Sequence, residues 1–204
     1  MNNLKKKYFE EIMPAAKKDL KISSSLGVPR MEKVVLNIGT SQAQDDDRLL
    51  EVMTDTLTRI SGQKPVATKA RKSISNFKIR KGMNVGMSVT MRGDRMYDFA
   101  EKLIDITLPR IRDFRGLRPE AIDQQGNLNV GIREHNVFPE INIDEIERLH
   151  GLEVSVRMTG GEREASEYIL RALGFPFAER GKLEKKASVD DELSNKGEAN
   201  KEKE

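Results

Sequence analysis

The chain has 204 residues, 37% of them hydrophobic and 34% charged, a formal net charge of +3, two histidines and no cysteine or tryptophan. Without cysteine there are no disulfides and no thiolate metal sites, and two histidines are too few for an imidazole-based one. No stretch approaches the roughly 20 apolar residues of a membrane span, and Lys5, Lys6 and Lys7 mixed with Glu10 and Glu11 do not resemble a signal or transit peptide, so no membrane and a cytoplasmic location are expected.

Leu4, Tyr8 and Ile12 recur at helical spacing, which predicts an opening amphipathic helix ending near Leu20. Residues 33–39 then alternate, with Val34, Leu36 and Ile38 on one face of a strand and Val35, Asn37 and Gly39 on the other. A second helix is predicted to start at residues 45–47, bury Leu49, Met53, Leu57 and Ile60, and end at Gly62; a short strand follows at 66–68. Over 84–92, Val85, Met87, Val89 and Met91 alternate strictly with Asn84, Gly86, Ser88, Thr90 and Arg92, giving a strand with one face free of large apolar groups. Asp94 is placed to cap a third helix carrying Met96, Phe99, Leu103 and Ile106, which Pro109 is expected to stop. Leu128, Val130 and Ile132 mark a further strand, residues 144–149 fit a brief helix, 154–158 alternate again, and 162–173 form a last helix closed by Gly174 and Pro176. Helices and strands do not alternate one for one, which favours an α+β fold: an antiparallel sheet with helices packed on its apolar face.

Positive charge is concentrated, not spread. Between Lys64 and Arg95 lie nine cations and one anion, Asp94, or +8 in 32 residues. So one-sided a patch repels itself unless a polyanion neutralises it, which points to nucleic acid. The last 24 residues hold six lysines against seven acids and no aromatic, predicting a disordered tail at 181–204 and a single folded domain at 1–180.

A polar sheet face is ordinarily just solvated. Here Thr90 and Arg92, joined by Asn37 if the first strand lies alongside, offer hydroxyl, guanidinium and amide groups suited to phosphates, 2′-hydroxyls and base edges. No aromatic lies on that strand face, which argues against base stacking and for structured RNA read by shape and backbone. Residues 71–83 fit neither period and read as a long basic loop, either merely solvated or projecting from the sheet toward a second partner. Residues 109–116 add three cations near one acid, as plausible for a surface turn as for an RNA contact. Gly160 and Gly161 before a helix are a weak phosphate signal, and His135 and His150 have no triad or ligand spacing around them. With no carboxylate pair, nucleophile motif or metal cluster, no enzyme is indicated. A free-standing RNA factor using the same surface remains the competing class.

Residues 37–39 (Asn-Ile-Gly), 62–65 (Gly-Gln-Lys-Pro), 70–74 (Ala-Arg-Lys-Ser-Ile), 77–83 (Phe-Lys-Ile-Arg-Lys-Gly-Met), 89–93 (Val-Thr-Met-Arg-Gly), 96–97 (Met-Tyr), 108–116 (Leu-Pro-Arg-Ile-Arg-Asp-Phe-Arg-Gly), 126–127 (Gly-Asn) and 138–141 (Phe-Pro-Glu-Ile) stand in one collinear order. Together they resemble the bacterial-type L five family of large-ribosomal-subunit proteins, from about Leu4 to Phe177. The resemblance implies a structural ribosomal protein that binds 5S rRNA and large-subunit rRNA and attaches the 5S RNA in the central protuberance beside other proteins there. It implies rRNA-binding residues Asn37, Gln63, Thr90 and Arg92. It also implies a loop that contacts P-site tRNA, here Arg71, Lys72, Ser73, Asn76, Phe77, Lys78, Arg80 and Lys81, and a region near 109–145 that bridges to the small-subunit protein S thirteen; no cofactor is implied. Two departures stand out. Ile122, Asp123, Gln124 and Gln125 replace the family's usual Phe-Asp-Gly, and the tail beyond Arg180 exceeds the family's usual length.

Overall fold

Each alternating segment forms a strand. In the computed structural model, which describes residues 3–40, 47–142, 149–160 and 162–178, β1 (Met31–Gly39), β2 (Val66–Lys69), β3 (Asn84–Met91), β4 (Leu128–Ile132) and β5 (Leu152–Met158) make one sheet in the order β2-β3-β1-β5-β4. Every neighbouring pair is antiparallel. Val34, Leu36 and Ile38 of β1 share their buried face with Met87, Val89 and Met91 of β3 and with Val154 and Val156 of β5. A slip of one residue would turn all of them to water, so this pattern sets the register.

The helices supply the other half of the core. α3 (Asp47–Ser61) buries Leu49, Met53, Leu57 and Ile60, and Gly62 at φ +66° lets the chain leave the helix. α6 (Arg163–Leu173) buries Ile169, Leu170 and Leu173 and ends at Gly174, φ +107°. Between them α4 (Asp94–Lys102) buries Met96, Phe99 and Ala100. The architecture is the expected α+β sheet with helices.

The opening helix ends at Asp19, close to the expected Leu20, whereas the helix expected to stop at Pro109 runs on, by a device that the two share. The first runs as α1 (Asn3–Lys7), a π-helical stretch (Tyr8–Ile12) and α2 (Met13–Asp19); there the Met13 N–H bonds Tyr8 O, five residues back, immediately before Pro14. The same arrangement follows α4: the Leu108 N–H bonds Leu103 O just before Pro109, and the helix continues as α5 (Leu108–Arg110) instead of stopping. Proline has no N–H to give and its ring crowds the carbonyl four residues back. A turn widened by one residue accommodates it. The buried stripe thereby moves on to Thr107 and Leu108, and Ile106, expected in the core, is 44% exposed.

Asp94 is not the cap. Gly93 occupies that position at φ +61°, and Asp94 sits in the first turn, bonded to Lys5 Nζ at 2.6 Å. Its charge still complements the helix N-terminus there. The predicted start of α3 at 45–46, most of the predicted helix at 144–149 and the tail at 181–204 lie outside the described residues.

Candidate nucleic-acid interface

The antiparallel register turns one row of residues on each strand to solvent. Val35 faces Thr90 on one side and Ser155 on the other; Asn37 faces Ser88 and Glu153. Asn129 lies opposite Ser155 and accepts a hydrogen bond from its Oγ at 2.8 Å. Asn37, Thr90 and Arg92 are all exposed, with Asn37 and Thr90 on adjacent strands of this face. Gly86 is what allows the Thr68 side chain of β2 and the Ile38 carbonyl of β1 to come close to β3. A Cβ at that position would meet Thr68 Oγ1 at 2.9 Å and Ile38 O at 3.0 Å.

Gln63 comes from elsewhere in the chain, the α3–β2 connection. With its amide oriented to suit both neighbours, it donates to Thr90 O at 3.2 Å and accepts from Arg95 Nη1 at 3.3 Å. Ser61 Oγ holds the same connection by accepting from the Gln63 N–H at 3.2 Å. Gln63 is thereby joined to the Thr90 segment of the face, a proximity that helix and strand periodicities do not reveal.

The face is less uniformly polar than the 84–92 strand alone suggests. Val66, opposite Ser88, is 67% exposed, and Val35 is half-buried. Sequence reasoning also missed Glu32 and Arg157. Arg157 Nε lies 3.1 Å and Arg92 Nη1 3.5 Å from the Glu32 carboxylate, so Arg92 does not stand alone. Alternation over β5 puts Arg157 on the solvent side, but only the pairing with β1 places it near Arg92.

The basic segment between β2 and β3 is more ordered than a free loop. Ala70 N–H bonds Met83 O (2.8 Å), Gly82 N–H bonds Ala70 O (2.9 Å), and Ile74 and Ile79 exchange backbone bonds of 2.9 and 3.1 Å. Between those two, Ser75–Phe77 forms a 3-10 turn closed by Lys78 at φ +54°. Ser73 Oγ accepts from the Lys81 N–H at 3.0 Å. Arg71, Lys72, Ser73, Asn76, Phe77, Lys78, Arg80 and Lys81 are exposed around this second tier of the hairpin. Phe77 is 69% exposed, a large apolar side chain held out among cations.

Where the chain departs from the family pattern at 122–125, Asp123 builds the turn. Its Oδ1 accepts from the N–H groups of Gln125 (2.9 Å) and Asn127 (2.8 Å), and its Oδ2 from the Asn127 amide (2.9 Å). Burial tends to raise the Asp123 carboxyl, but these bonds outweigh it and hold it below the usual carboxylate range. Gln124 and Gln125 are exposed and leave this network intact.

Among the described residues no group of three acids, histidines or cysteines could hold a metal, and no helix is long and apolar enough to cross a membrane. Residues 25–80 match the family described as Ribosomal protein L5, and residues 84–177 match the C-terminal part of the same ribosomal family. The chain belongs to the ribosomal protein L5 family. Among its relatives is a protein named Large ribosomal subunit protein uL5 from Halothermothrix orenii, 47% identical over 178 residues that span 87% of this chain and 99% of the relative. A protein of the same name from Desulfatibacillum aliphaticivorans is 47% identical over 177 residues, covering 87% and 99%. Another from Thermus thermophilus is 49% identical over 174 residues, covering 85% and 96%. The family is one of ribosomal structural proteins, not of enzymes.

Proposed function

We propose that the chain is a structural constituent of the large ribosomal subunit that binds 5S rRNA with the solvent face of its sheet and attaches it in the central protuberance. Ribosomal, cytoplasmic residence goes with that role, as do large-subunit rRNA and neighbouring proteins of the protuberance as partners. The observation that carries this reading is the convergence of residues from three places in the chain: Asn37 on β1, Thr90 on β3 with Arg92 just beyond it, and Gln63 bonded to the Thr90 carbonyl. Amide, hydroxyl and guanidinium groups on a bare sheet suit a structured RNA whose backbone comes close.

The exposed basic hairpin at 70–83 is, on this reading, the part that meets P-site tRNA. The stretch 109–145 is the part that bridges to S thirteen on the small-subunit head. On the same reading residues 1–180 are the RNA-binding body, and the charged tail at 181–204 takes no part in RNA binding.

A gel-shift series with 5S rRNA and a tRNA competitor tests the central claim. The chain should prefer 5S rRNA, and Arg92→Ala should weaken that binding by about 1 to 3 kcal/mol, the range for losing a charge-assisted contact. Asn37→Ala and Thr90→Val should weaken it less. Equal affinity for the two RNAs would sink the proposal.

A further inference from the structure

The pairing of β1 with β5 contains one irregularity, between Met31, which faces Met158, and Lys33, which faces Arg157. Glu32 is the extra residue. Met31 and Val34 are both buried, so the two residues between them, Glu32 and Lys33, are left to the solvent side. A bulge of this kind re-aims a side chain that regular alternation would send elsewhere.

Glu32 is thereby placed between two guanidinium groups from different strands. Its Oε1 is 3.5 Å from Arg92 Nη1, beyond the end of β3, and its Oε2 is 3.1 Å from Arg157 Nε on β5. The arginine side chains remain 58% and 56% exposed. Beside them, Arg157, Asn127, Thr159 and Gly160 border an open recess of about 250 Å³. Ion pairs this exposed contribute little to stability, so holding the fold together does not account for the arrangement. One carboxylate cannot neutralise both Arg92 and Arg157. A phosphate presents similar paired oxygens to an arginine fork, with no carbon stem anchoring it to the protein.

We propose that Arg157 acts with Arg92 as a paired phosphate clamp on the RNA, and that Glu32 holds the two guanidiniums in register until an RNA phosphate replaces it. Glu32 is then also a selectivity element. Any RNA must displace the carboxylate, and only one that makes the remaining contacts across the sheet face offsets that cost. The inference rests on the reading that this face binds 5S rRNA, and adds to it a second arginine and an internal competitor.

The test uses the full chain, 5S rRNA and tRNA, titrated over a series of KCl concentrations, with melting curves to confirm that each variant is folded. Arg157→Ala should weaken 5S binding about tenfold and reduce the slope of log K against log salt by about one. Arg157→Lys keeps the charge without the fork, so it should weaken 5S binding with the slope nearly unchanged. Glu32→Gln should tighten tRNA binding several-fold and 5S binding by less, narrowing the preference between them. If Arg92→Ala weakens 5S binding while both Arg157 variants bind normally, the clamp is wrong and the sheet-face reading survives. If Glu32→Gln instead lowers 5S affinity, the carboxylate is itself an RNA contact and the displacement is overturned. A wild-type chain without 5S preference overturns the sheet-face reading and this inference with it.

Discussion

Two buried histidines, His135 and His150, lie ring on ring with centroids 3.9 Å apart and planes 16° from parallel. The His135 N–H donates to His150 O at 3.2 Å, and the His150 N–H lies 3.3 Å from His135 Nδ1, so the pair ties the segment after β4 to the start of β5. Burial pushes His135 below the ordinary imidazole value, with a backbone hydrogen bond to His150 partly offsetting it. A histidine depressed in the folded chain binds its proton more readily in the unfolded chain. Its stabilising contribution is therefore complete above the unfolded value of about 6.5 and is lost as pH falls through the depressed one. We expect the thermal midpoint to drop as pH is lowered from about 6.5 toward 5, with a smaller drop in His135→Asn; identical pH profiles for the two chains would refute the assignment. The sequence supports a structural reading of these histidines by lacking any ligand spacing around them. It does not show that they meet, because 15 residues separate them and the contact depends on strand pairing.

Among elements, the helix that runs through Pro109 shows how a local rule can be right in cause and wrong in outcome. Pro14 and Pro109 do disturb the backbone, as their chemistry requires, but a π turn absorbs each disturbance one residue earlier. Burial of Leu4, Tyr8, Ile12 and Ala16 on one helix and of Met96, Leu103 and Leu108 on the other rewards keeping them continuous. The basic hairpin is the opposite case. Its periodicity predicts no regular element, yet paired backbone bonds at Ala70 and Met83, and again at Ile74 and Ile79, hold it as a two-tier extension of β2 and β3. Such a hairpin offers phosphates a preformed set of cations without reading base sequence, which suits a site that accepts every tRNA in turn. Replacing Lys78, Arg80 and Lys81 together with alanine should leave 5S binding within about a factor of three. The same variant should lower P-site tRNA retention on assembled ribosomes, most visibly at low salt where phosphate contacts are least screened. Loss of 5S binding with normal tRNA occupancy would reverse this division of labour between sheet face and hairpin.

For the molecule as a whole, charge is partitioned by region: the segment from Lys64 to Arg95 carries +8, while residues 181–204 carry six cations against seven acids. Having no apolar period with which to dock, that tail should be dispensable. Truncation after Arg180 is expected to leave 5S affinity and the thermal midpoint nearly unchanged, and a several-fold loss of affinity would reveal a docking site. The amino-acid sequence by itself placed the five strands and the longer helices among the described residues and marked the apolar face of most of them, because a period of two or of 3.6 residues is a local property written along the chain. It also identified the family, through motifs in collinear order. Only the tertiary structure decided the rest. That Gln63 reaches Thr90 O, that Gly86 lies under Thr68, and that Glu32 stands between Arg92 and Arg157 all depend on which strands are neighbours and in what register. Periodicity carries no information about that choice; strand order and the bulge at Glu32 emerge only when every buried face of the sheet must be covered by helices at once.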